Sequence, residues 1–142
     1  MNSDQFVAAV NAELRPVLEP LGYRVSTKVS GRAYDAECAT EDCVAIISFE
    51  PGDDFLLVAV VSENDGVRSS LDDRTASPRL GDLNRRYLEP ADVEVLELSR
   101  RNDTALDPDA RKLVAAMRQL CLVLPRYVAE RRATNLDRPL RP

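Results

Sequence analysis

AYDAECATEDCVAIISFEPGDDFLLVAVVS, residues 33–62, decides the fold. Its apolar period is two. Tyr34–Thr40, Cys43–Glu50 and Phe55–Ser62 read as strands, separated by Glu41-Asp42 and by Pro51-Gly52-Asp53-Asp54. Turn-forming connections this short between alternating segments specify antiparallel hairpins. With Glu41-Asp42 as a two-residue loop, Thr40 falls opposite Cys43 and Cys38 opposite Ala45. One face then gathers Tyr34, Ala36, Cys38, Cys43, Ala45, Ile47 and Phe49, while the other carries Asp35 and Glu37 beside Val44, Ile46 and Ser48. The third strand is apolar on both sides, which suits a central strand covered on both faces.

Upstream, Tyr23–Ser30 alternates weakly and stops at Gly31. Before it, Phe6, Val7, Val10, Leu14, Val17 and Leu18 recur at helical spacing, so Ser3–Leu18 is predicted to be a helix. Asn2 or Ser3 caps it, Pro16 should kink or end it near Arg15, and Pro20 with Gly22 finishes it. Downstream of Asn64-Asp65-Gly66, Ser70–Arg74 reads as the opening of a short helix and Arg79–Leu88 as another. Ala91–Leu98, with Val93, Val95 and Leu98 against Glu94 and Glu97, reads as a further strand. Asp107-Pro108-Asp109 is a strong helix start: Asp caps, Pro takes the first position, and the second Asp faces the positive end of the dipole. The helix it opens places Leu113, Met117, Leu120 and Leu124 on one stripe, with Pro125 kinking it or starting a second segment, Arg126–Arg132. The order predicts an α+β protein: a three- to five-stranded, mostly antiparallel meander with the N-terminal helix and the long C-terminal helix packed on it. Residues 1–133 form one domain and 134–142 a flexible tail.

A chain of 142 residues fits a single domain. It has no His, which removes Ser-His-Asp and Cys-His nucleophiles, His-ligated metals and a neutral-pH imidazole switch. The five glycines, at 22, 31, 52, 66 and 81, are too scattered for a phosphate-binding loop. Three cysteines, Cys38, Cys43 and Cys121, are too few for a disulfide framework and read as reduced packing residues. No cofactor or metal is expected. MNSDQFVAAVNAELRP lacks the basic segment and apolar core of a secretory signal, and the longest apolar runs fall far short of a bilayer span, so the expected location is cytoplasmic. A basic complement of 17 Arg and 2 Lys suggests a GC-rich bacterial source.

Net charge −5 hides a polarity. Residues 1–66 hold 4 basic and 12 acidic side chains; residues 67–142 hold 15 and 12. Between Tyr34 and Asp65 stand nine carboxylates and no Lys or Arg. Asp53, Asp54, Glu41 and Asp42 suit turns, whereas Asp35 and Glu37 lie within a strand. The six together are the candidate surface for a protein partner with a basic surface. The C-terminal arginines Arg126, Arg131, Arg132, Arg138 and Arg141 could meet nucleic acid, but overall acidity and the lack of a binding motif argue against it. Asp35 with Glu37, or Asp92 with Glu94, could serve a carboxylate-dependent, metal-using enzyme. Leu113, Met117, Leu120 and Leu124 lie either in the core or at a homodimer interface, and the dimer version would suit a small acidic chaperone or adaptor.

LEPLGYRV (residues 18–25) closing a helix, the hairpins of residues 33–62 and the terminal helix resemble small bacterial α+β proteins, some of them toxin-immunity proteins. The likeness covers residues 6–62 and 107–130 as a pattern. It implies a non-catalytic protein that neutralises a cognate toxin, and carries over no functional residue.

Overall fold

The computed structural model describes residues 1–53 and 55–136. Five antiparallel strands lie in sequence order: β1 Arg24–Ser30, β2 Ala33–Ala39, β3 Cys43–Glu50, β4 Phe55–Asn64 and β5 Val67–Arg68. The β2–β3 register pairs Cys38 with Ala45 and Tyr34 with Phe49, as the two-residue loop requires, and Thr40 N–H donates to the Cys43 carbonyl at 2.8 Å. All seven side chains assigned to the inner face are buried or half-buried. The alternation therefore becomes an apolar floor for helices. β5 is a two-residue addition beyond the expected meander, joined through Asp65 and Gly66, both at positive φ. β4 is next to the sheet's edge rather than central.

Helix α1, Ser3–Ala9, is capped by Asn2, whose Oδ1 accepts from Gln5 N–H at 2.9 Å while Gln5 Oε1 accepts from Asn2 N–H at 2.8 Å. A π-helical turn, Val10–Leu14, then leads into α2, Arg15–Leu18, and a 3-10 turn, Glu19–Leu21, that ends on left-handed Gly22. The π turn has two local reasons. Pro16 has no N–H and its ring collides with the carbonyl four residues back, so the turn before it widens. Phe6, Val10, Leu14 and Leu18 also repeat strictly every four residues, which on a 3.6-residue turn drifts by about 40° per step. A wide turn brings the stripe back to one side, and all four are fully buried.

Helix α5, Pro108–Leu136, starts where Asp107 Oδ1 accepts from Ala110 N–H at 2.8 Å. It runs on through Pro125 as one helix, so of the two expected outcomes, a kink or a second segment, the separate segment does not form. A proline inside a helix costs roughly 3 kcal/mol, and burial of Val123, Leu124 and Val128 around it offsets that loss. Thr134–Leu136, assigned by sequence to the tail, continue this helix; residues 137–142 lie outside the described residues. Leu113, Met117, Leu120 and Leu124 are fully buried in the chain's own core, with Phe6, Leu14, Ile47 and Phe49. Of the two readings of those four positions, core or homodimer interface, the burial places them in the core.

Two further expectations change. Ser70–Arg74 forms turns, not a helix. The Ser70 hydroxyl accepts from Asp72 N–H, and Asp73 Oδ1 accepts from Thr75 and Ala76 N–H, bonds that compete with helical ones. Ala91–Leu98 is not a strand but part of helix α4, Pro90–Arg101, which follows α3, Leu80–Tyr87. Pro90 takes an opening position, and the Asp92 carboxylate reaches back to Glu89 N–H at 2.9 Å. No residue of α4 is buried.

Cys38, Cys43 and Cys121 are free. Burial pushes the Cys38 and Cys121 thiols up to about 12, so at neutral pH both are protonated packing groups. Among the described residues, no helix is long and apolar enough to cross a membrane.

Candidate functional site on the outer sheet face

The helices occupy one face of the sheet. The other is covered over only part of its width, and that incomplete cover creates the site. Residues 69–79 run along β4: Ser69 N–H donates to the Ser62 carbonyl at 2.9 Å, and Val60 N–H donates to the Pro78 carbonyl at 3.0 Å. Ser69 and Ser77 share a hydroxyl hydrogen bond of 2.7 Å, and Ser77 is fully buried. Arg79 donates to the Leu71 carbonyl at 2.7 Å, tying the start of this segment to its end. Beneath the segment, Ala59 and Val61 are buried although they point away from the helices.

Toward β1 the cover stops. A recess of about 410 Å³ opens there, with Ile46, Leu57 and Leu71 as apolar walls and Ser26, Lys28 and Asp35 among its polar ones. Asp35 stands opposite Lys28 on β1 and Ser48 on β3 in register. Glu37, two residues on and on the same face, is held by Arg68: the guanidinium donates to its two carboxylate oxygens at 2.8 and 3.1 Å and to Glu63 at 2.8 Å. Arg68 is on β5 and Glu37 on β2, so this side chain spans β3 and β4. The two carboxylates raise the arginine's pKa further, and it stays charged throughout the accessible pH range.

The six acidic positions are therefore not one continuous surface. Asp35 and Glu37 share the outer face. Glu41 and Asp42 sit at one end of the sheet, Asp53 is exposed at the other, and Asp54 lies outside the described residues. Asp42 accepts from the Thr40 hydroxyl at 3.1 Å and lies 3.7 Å from Arg132 of α5. The acidic and basic halves of the sequence thus partly neutralise each other within the fold. The recess is mixed in charge rather than acidic, because Lys28 and Arg68 accompany its carboxylates.

Other candidates find partners elsewhere. Arg126 donates to Asp92 at 2.7 and 3.2 Å and to the Tyr87 carbonyl at 2.8 Å, and Arg131 bonds Tyr127. Arg138 and Arg141 lie outside the described residues. Asp92 and Glu94 do not share a strand face; on α4 they point about 200° apart. Among the described residues, no group of three or more Cys, Asp or Glu side chains is placed to hold a metal ion. Glu37 would have to exchange a bidentate arginine for one.

Sequence reasoning missed Arg68, a lone basic residue after a turn, because only the strand order brings Glu37 and Glu63 to it. It also missed the junction at Arg118, which pairs with Glu13 at 3.1 Å and with Asp103, tying α5 to the π turn and to the loop after α4. Cys121 Sγ donates to the Glu13 carbonyl at 3.3 Å in the same place. Compared with family models, curated proteins and solved structures, the chain matches none.

Proposed function

We propose that this chain is a non-catalytic protein-binding protein whose outer sheet face receives a segment of a partner protein, the toxin-immunity role being its most concrete form. The observation that carries the reading is the half-covered face: an apolar-walled recess bordered by Asp35, on a sheet whose other side is filled by the chain's own helices. Ile46, Leu57 and Leu71 supply area for an apolar side chain, and Asp35 supplies an acceptor for a basic one. Glu37 is already engaged by Arg68, so it shapes the rim more than it attracts charge. A partner with basic and apolar side chains interleaved fits this surface better than a uniformly basic one.

The test begins with affinity capture from the native host, followed by titration of the captured protein against variants. Asp35→Lys should weaken its binding at least about tenfold, equivalent to about 1.4 kcal/mol, and flatten the salt dependence. Ile46→Asn, which removes apolar area without changing charge, should weaken it further and leave the salt dependence as it is. Equal affinity for wild type and both variants would overturn the assignment of this face.

A further inference from the structure

Helix α4 has an apolar face that nothing in the chain covers. Its packing on α5 uses Asp92, Leu96 and Ser99, which are half-buried. Ala91, Val95 and Leu98, spaced by four and three, form a separate stripe turned about 100° away from that contact. All three are exposed, Val95 by 60% and Leu98 by 59%. Along one border of the stripe stand Glu94 in the first half of the helix and Arg101 in its last turn. Both are exposed and neither pairs with another described residue.

This pattern is complementary to itself. When two copies of α4 meet antiparallel about a twofold axis, the same border of each helix faces its counterpart in the opposite direction. Val95 of one copy then lies level with Leu98 of the other, and Glu94 falls beside Arg101, twice over by symmetry. In a parallel pair the same border of the two helices falls on opposite sides of the seam, so Glu94 and Arg101 would not meet. We propose that α4 is a homodimer surface: two chains associate through antiparallel α4 helices, with Val95 and Leu98 as the apolar seam and reciprocal Glu94–Arg101 ion pairs fixing orientation. α4 packs on α5, which covers the inner face of the sheet, whereas the recess beside Asp35 opens on the outer face.

A single helix pair falls below the roughly 1,200 Å² of a standard interface, so association is reversible and concentration-dependent, and is sought from roughly 5 µM to roughly 500 µM. Sedimentation equilibrium of the full chain over that range tests it. Wild type should pass from monomer to dimer. Glu94→Arg and Arg101→Glu should each weaken the dimer about tenfold, the double exchange should restore it, and Leu98→Asp should abolish it. Every altered side chain is exposed, and unchanged circular dichroism and melting temperature verify that the variants fold. A chain that stays monomeric throughout overturns the proposal and leaves the stripe to a different protein. A dimer indifferent to these exchanges overturns it as well, since another surface then makes the contact.

Discussion

Helices α5 and α4 lie side by side and do opposite work. α5 presents Leu113, Met117, Leu120, Val123 and Leu124, each fully buried. α4 presents Val93, Val95 and Leu98, each between 46% and 60% exposed. Both helices begin the same way, with an acidic residue followed by proline and then an Asp in the first turn. What differs is the angular relation between apolar stripe and neighbour. The stripe of α5 points into the sheet, whereas α4 touches α5 through Asp92, Leu96 and Ser99 and turns much of its apolar surface outward. A helix can therefore be amphipathic without contributing to the core, and the fold alone does not use all the apolar surface this sequence makes.

The largest test of that contrast is truncation in α5. Leu120→Ala or Met117→Ala should cost about 2–5 kcal/mol, because a fully enclosed site leaves a cavity. Denaturant titration measures it, and a cost under about 1 kcal/mol would mean that α5 is not core. Next comes Arg118, which joins α5 to Glu13 and Asp103 and is 23% exposed. Arg118→Leu should cost about 2 kcal/mol by leaving two half-buried carboxylates unpaired. The same titration, combined with Glu13→Gln in a double-mutant cycle, separates the pair from the loss of packing.

Acid should loosen the contact between α4 and α5. The hydrogen bonds from Arg126, and then the bond from Glu89 N–H, hold the Asp92 carboxyl below its ordinary 3.8. A carboxyl depressed in the folded state contributes stability that is fully present above its unfolded value and is lost as pH falls through the folded one. The α4–α5 contact should therefore loosen only below pH 3.8. In an NMR titration, Arg126→Gln should move Asp92 back up toward 3.8; an unmoved Asp92 would show that the pair does not hold α4. The smallest effect is expected at Leu98, where Ala should change monomer stability by no more than about 0.5 kcal/mol.

The same pair of helices shows what was legible beforehand. Asp107-Pro108-Asp109 announces α5 because capping is local chemistry. Glu89-Pro90 with Asp92 carries nearly the same signal, but Val93, Glu94 and Val95 imitate the alternation of a strand. Leu96 beside Glu97 and Leu98 breaks that alternation and was the available warning. The hairpins of residues 33–62 were readable because their period and turn lengths leave one register that keeps Ile47 and Phe49 inside. The outer face was less so. Which carboxylates remain available depends on Arg68, and its reach to Glu37 follows from strand order rather than from sequence distance. The Ser70–Arg74 turns escaped for a related reason: Ser70 and Asp73 bond to nearby backbone, and helix spacing alone does not reveal that competition.

Peptide-resolved hydrogen exchange at low and high protein concentration tests most directly whether α5 belongs to the chain's own core while α4 is its surface for a second copy. The buried stretch of α5 should exchange slowly and identically at both concentrations, while α4 should exchange quickly when dilute and gain protection as concentration rises. Protection of α4 that is as strong as that of α5 in dilute solution, or that does not change with concentration, would contradict that assignment of the two helices.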